Sequence, residues 1–307
     1  MRRIVLPVTA IAVLPLVLAA CGSTSTTSSK TATNTSSQTG AARISPQAAV
    51  DASYHAAGAS PTSFHVNETV GIVVNGKNYR GSTISGDVYS DPSNPAATYA
   101  SLTENLSALN KSEGSMLMLL KNDKLYINAG GIHGSGLSVT SGWKVISLQT
   151  YANNIDSMAS NQITPTAIKS PQSGLLTALV GSAKITADGS SIVGGQAVNV
   201  YTATAPYTKL IPAMAKSKGV LSSSLGAVLS AHHAPGNAKL TIETTKSTNR
   251  IADVNGVFAA TFAPVKGSSV KYHFVIIRVQ QQYSNYGVKF TVNAPASAKP
   301  ITSLKQL

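Results

Sequence analysis

The chain has 307 residues, a formal net charge of +13, 43% hydrophobic residues and only 11% charged ones. Its single cysteine, Cys21, excludes an intramolecular disulfide framework, and its length suffices for one substantial core. A basic excess suits nucleic acid or an anionic membrane surface, yet no Lys/Arg run here is interleaved with aromatics.

The first segment decides between those two partners. Met1-Arg2-Arg3 precedes an apolar run from Ile4 to Ala20, a positive n-region followed by an h-region of signal-peptide length. Pro7 and Pro15 and the short span argue against a permanent transmembrane helix. Leu18-Ala19-Ala20-Cys21 resembles the bacterial lipobox, with small residues before the cut between Ala20 and Cys21 and a thiol to take the diacylglyceryl group. Residues 1–20 are therefore expected to be a lipoprotein signal peptide. Cys21 is the expected lipid anchor, placing the chain on the outer face of the bacterial cytoplasmic membrane. Two acyl chains hold firmly, because each buried methylene contributes about 0.8 kcal/mol. Outside the cytoplasm nucleic acid drops out as a partner. The scattered basic residues then read as a solvated surface with weak attraction for anionic headgroups.

Residues 21–44 are expected to be the lipidated Cys and a flexible tether, since residues 22–42 are Ser/Thr-rich with no large apolar side chain. Residues 45–307 are expected to form one domain. Ser45 as N-cap, Pro46 at the first helical position and Gly58 as a stop predict a helix. From Ser63 the period becomes two: Phe64, Val66, Val70 and Ile72 share one face, His65, Asn67 and Thr69 the other. Glu68 falls on the apolar parity, so burial would demand a partner or a raised pKa.

Further strands are expected at 79–89, 98–104, 115–121 and 124–128, the last two joined by a tight Asn122-Asp123 hairpin. Trp143-Lys144-Val145 closes this half. Leu148, Tyr151, Ala152, Ile155 and Met158 recur at helical spacing. A short helix from Ser170-Pro171 carries Leu175 and Leu179. Strands return at 183–187 and 197–203 through Gly194-Gly195. Residues 207–233 read as helix, interrupted near Pro212 and Gly219 and carrying Leu225 and Leu229. Strands at 239–245, 250–262, 270–282 and 288–292 finish the chain. The pattern is α+β: a large curved antiparallel sheet, a half-barrel, with helices packed on its concave face.

Particular residues add a resemblance. Thr62-Ser63-Phe64-His65-Val66, Gly86-Asp87-Val88, Lys124-Leu125-Tyr126-Ile127 before Gly142-Trp143, Ser170-Pro171 before Leu175-Leu176, and Gly189 to Tyr201 stand in an order that resembles the actinobacterial LppX/LprA/LprF/LprG lipoprotein family, relatives of the LolA and LolB carriers. It covers roughly residues 45–295. The long Ser/Thr tether and the Tyr207–His233 helical section depart from that pattern. The resemblance implies a half-open barrel capped by helices, with an apolar cavity for acyl chains. Phe64, Val66, Val70, Ile72, Leu175, Leu179, Leu225 and Leu229 are the candidate lining. Such a cavity would favour a lipid tail by about 25 cal/mol per Å² buried. The same residues interdigitating into a closed core is the other arrangement the sequence allows.

No Gly-x-Ser-x-Gly elbow, phosphate-binding Gly loop or His-Glu-x-x-His motif is present. Adjacent His232 and His233 point apart on a helix and do not make a metal pair. Tyr283 and Tyr286 near Gly287 suit hairpin packing or a lipid-facing rim equally. The expectation is a monomeric, membrane-anchored lipoprotein that needs no cofactor or metal and is not an enzyme. It would carry or present a lipid or lipoglycan. The alternative is an interaction or sensor module binding an envelope protein; a hydrolase would need a clustered acid/base set.

Overall fold

The structure is a computed structural model and describes residues 44–58, 60–74, 77–91, 93–94, 97–108, 111–132, 140–159, 181–216, 236–260 and 275–307. The expected signal peptide, Ala20, Cys21 and the tether up to residue 43, and Leu175, Leu179, Leu225, Leu229, His232 and His233, lie outside the described residues.

The described chain opens with helix α1 (Pro46–Gly58). Its N-cap is as the sequence predicts: Ala48 N–H donates to Ser45 Oγ at 3.2 Å, which satisfies one of the orphan amides of the first turn. Five antiparallel strands follow, β1 (Thr62–Val74), β2 (Lys77–Ser90), β3 (Tyr99–Ala108), β4 (Lys111–Lys121) and β5 (Lys124–Asn128). Asn122 and Asp123 both adopt positive φ, 50° and 58°, the conformation a two-residue hairpin needs to match strand twist. Next come β6 (Lys144–Ser147) and helix α2 (Leu148–Ala159), where Ser147 Oγ accepts from Thr150 N–H at 3.0 Å as the cap. Strands β7 (Lys184–Val193) and β8 (Gln196–Pro206) lead into helix α3 (Tyr207–Lys216), which continues through Pro212. Strands β9 (Asn237–Thr245), β10 (Ile251–Ala260), β11 (Val275–Ser284) and β12 (Lys299–Pro300) end the chain.

All twelve described strands form one open curved sheet in the order β12-β6-β5-β4-β3-β2-β1-β11-β10-β9-β8-β7. Two meanders, one from each half of the chain, are joined by the antiparallel β1–β11 pair, from His65 opposite Ser284 to Val74 opposite Val275. Neighbours are antiparallel, apart from β12, which lies parallel to β6. One face is apolar from β6 across to β8, with Ile146, Leu125, Met118, Leu102, Val88, Val66, Phe258, Leu240 and Ala203 buried. The expected α+β half-barrel is therefore present and open rather than closed.

The principal contacts of the described helices fall on its flanks: α2 on β5 and β6, α3 on β8 and β9, α1 on β7, β9 and β10.

Two expectations need correction. The strand expected at 288–292 does not form. That segment is irregular, and its carbonyls accept from side chains at the strand ends: Val288 from Ser63 Oγ (2.6 Å), Phe290 from Tyr99 Oη (3.2 Å) and Val292 from Lys121 Nζ (2.6 Å). It runs across the end of β1, β3 and β4 as a strap. Phe290 packs against the Tyr99 ring and Val292 is buried, whereas Val288 stays exposed, so the alternation serves strand termini rather than a ladder. Beyond it the tail reaches β6, where Lys299 and Ile301 amides donate to the Trp143 and Val145 carbonyls at 2.9 Å each. The strand expected at 183–187 instead continues to Val193, because a register shift between Ala187 and Gly189 absorbs the interruption and pairing resumes.

Candidate functional site

The inner face of the central strands holds two acids. Glu68 on β1 is 1% exposed and Glu104 on β3 is 0% exposed. Strand parity puts them there. Glu68 alternates with Val66 and Val70, and Glu104 with Leu102 and Leu106, each on the face that packs into the core. Both stand opposite Ile84 of β2 in register, one on either side, and Gln281 of β11 stands opposite Glu68. A polar row thus crosses the sheet in an otherwise apolar field.

Each acid has one bound and one unbound oxygen. Gln281 Nε2 donates to Glu68 Oε2 at 2.9 Å, and Tyr283 Oη donates to Gln281 Oε1 at 3.2 Å. Ser82 Oγ donates to Glu104 Oε1 at 2.8 Å. Glu68 Oε1 and Glu104 Oε2 have no hydrogen-bond partner in the structure. A third such atom, Thr244 Oγ1 on β9, lies three strands from β1.

Burial, which penalises the charged form, raises Glu104 to about 8 despite the Ser82 hydrogen bond. Burial also holds Glu68 well above the ordinary carboxylate range, with the Gln281 hydrogen bond opposing it and the charge of Glu104 adding to it. Tyr151 of α2 is raised as well, first by burial and then by Glu104. Burial therefore favours the neutral form of both acids. A proton on the unbound oxygen of either acid leaves the other oxygen free to accept the hydrogen bond it already makes.

Of the lining residues expected from sequence, Phe64 and Val66 are buried on this inner face at 2% and 0% exposure. Val70 is partly buried and packs against the core. Ile72 follows on the same parity of β1. Tyr283 and Tyr286 are packing residues: their ring centroids lie 5.8 and 6.0 Å from that of Phe64, Tyr286 Oη donates to the Ile251 carbonyl, and Arg250 stacks over the Tyr286 ring. Glu68 was marked by its parity, whereas Glu104, Gln281 and Ser82 were not, because only strand register brings them alongside.

The outer face carries a second constellation that motif searching misses. His65 Nδ1 lies 2.7 Å from Asp87 Oδ1, and Ser85 Oγ lies 3.3 Å from His65 Nε2. Ser, His and Asp stand in the order of a nucleophilic triad. The i, i+2 pair Ser85/Asp87 on one face of β2 with His65 directly opposite Asp87 was the available signal. Acyl transfer also needs preorganised donors for an oxyanion. Ser85 sits mid-strand, paired with Asn67 on one side and Thr103 on the other, so the local amides belong to the ladders. The half-exposed trio is a cross-strand polar network.

Among the described residues no group of three or more His, Cys, Asp and Glu side chains is placed to hold a metal ion, and no helix is long and apolar enough to cross a membrane.

No family model matches the chain. No curated protein matches it either. Solved structures with a similar chain path include LprF from Mycobacterium bovis, at 16% identity and a TM-score of 0.47, covering 82% of this chain and 97% of that one. Another is the lipoprotein LppX from Mycobacterium tuberculosis, at 12% identity and a TM-score of 0.43, covering 81% and 98%. The MucA/MucB complex of Pseudomonas aeruginosa follows at 12% identity and a TM-score of 0.27, covering 76% and 54%. Identities this low fall far short of the range in which a ligand or partner carries across.

Proposed function

We propose that this chain is an envelope lipoprotein, anchored through Cys21, that binds a lipid or lipoglycan against the concave face of its sheet and carries or presents it. The observation that supports this best is the buried apolar face that runs from β6 to β8 on one side of the sheet, on which the described helices of 13, 12 and 10 residues have their principal contacts toward the flanks. At 1.5 Å per residue each reaches only about 15–20 Å. An acyl chain laid along the central strands gains burial without breaking any backbone hydrogen bond. The lipobox and tether keep such a binder beside its source of lipid. Mass spectrometry of an organic extract of the purified chain tests the reading: a non-covalent lipid should accompany it.

The second reading, a module that binds an envelope protein, draws support from β7. That edge strand is exposed along most of its length, ends near Ile192 (74% exposed), and pairs only with β8 among the described residues. A strand of a partner could add there. Cross-linking at β7 would capture that partner whether or not lipid is present.

A further inference from the structure

We propose that Glu68 and Glu104 form a polar subsite within the apolar interior, where their two unpartnered oxygens hold the ester junction of an acyl-ester lipid. The inference rests on the lipid-binding reading and adds to it where, and by what chemistry, the ligand is oriented.

A buried polar atom without a partner destabilises a fold, and native interiors keep few of them. Here two occur on neighbouring inward side chains, one strand apart on either side of Ile84. Each acid is already fixed by a neighbour, Glu68 by Gln281 and Glu104 by Ser82. Each carboxyl is therefore held by one bond while its other oxygen stays without a partner. Strand spacing separates the two backbones by roughly 10 Å, a distance that side-chain reach shortens.

The chemistry selects the guest. Because burial favours the neutral form of both groups, each can offer an O–H donor from its unpartnered oxygen. A neutral acceptor satisfies it without bringing a charge into the core. Ester carbonyls at the junction of two acyl chains supply two acceptors next to two apolar tails, matching two donors on an apolar face. A cationic amine would instead require both acids to ionise together, against burial and mutual repulsion.

The test compares dioleoylglycerol with its dioleyl ether analogue, which lacks the carbonyls, on the full chain in detergent. The ester should bind roughly tenfold more tightly, about 1.4 kcal/mol. The double variant Glu68→Leu, Glu104→Leu should lose that preference while its affinity for the ether analogue stays within about threefold. Glu68→Gln with Glu104→Gln should keep part of the preference, since each amide still donates. Equal affinity of the unmodified chain for ester and ether overturns the subsite and leaves lipid binding standing. Tighter binding of oleylamine than of dioleoylglycerol overturns it in favour of a cation site. Binding of none of the three overturns the subsite together with the lipid reading.

Discussion

Glu68 and Glu104 both face Ile84 across β2, one from β1 and one from β3, and each keeps one carboxyl oxygen unpartnered in the buried interior. Their neutrality couples folding to pH. For each acid the folded pKa lies above the unfolded value, so the folded state binds more protons and stability falls as pH rises. For Glu104 the contribution is fully present below about 4.5 and is lost by about 8. Glu68, Asp253 and Glu243, all raised first by burial, act with the same sign. Thermal unfolding should therefore show a Tm that declines between pH 5 and 8, and Glu104→Gln should flatten the curve. A Tm that rises over that interval would contradict the neutral pair.

The core behind the site should answer to cavity creation. Phe258 is 1% exposed, on the inner face of β10. Phe258→Ala should cost about 3–5 kcal/mol in denaturant unfolding. A loss below about 1 kcal/mol would mean that the face is loosely packed there.

Gly114 on β4 tests a close backbone approach. Its φ is +103°, and a Cβ at this position would lie 1.7 Å from the Gly131 carbonyl oxygen. Gly114→Ala should lower stability by roughly 2–5 kcal/mol, from backbone strain together with overpacking.

The outer-face trio gives an opposite kind of expectation. Without free donors beside Ser85, an alkyl fluorophosphonate should leave it unlabelled. Because His65 and Asp87 are partly solvated, Asp87→Asn should change stability by less than about 1 kcal/mol. Stoichiometric labelling of Ser85, lost in His65→Ala, would establish a hydrolytic site instead.

Local pattern carried most of the fold. The Ser45-Pro46 start, the period-two run through Phe64 and Val66, and the Asn122-Asp123 turn are each set by a few neighbouring residues, and each stands where the sequence predicts. Residues 288–292 alternate like a strand, yet their hydrogen bonds go to Ser63, Tyr99 and Lys121, more than 170 positions away in sequence. The site divides in the same way. Glu68 betrayed itself by parity, a property of one strand. Its row with Gln281 and Glu104 depends on the register of four strands, and the His65–Asp87–Ser85 network on the register of two. Periodicity is blind to register.

Native mass spectrometry of the full chain, released from gentle detergent before and after incubation with dioleoylglycerol, tests the central claim most directly. A complex carrying one non-covalent lipid per chain is expected, with occupancy reduced in Glu68→Leu, Glu104→Leu. A chain that never carries a lipid mass, as purified or after incubation, would contradict it.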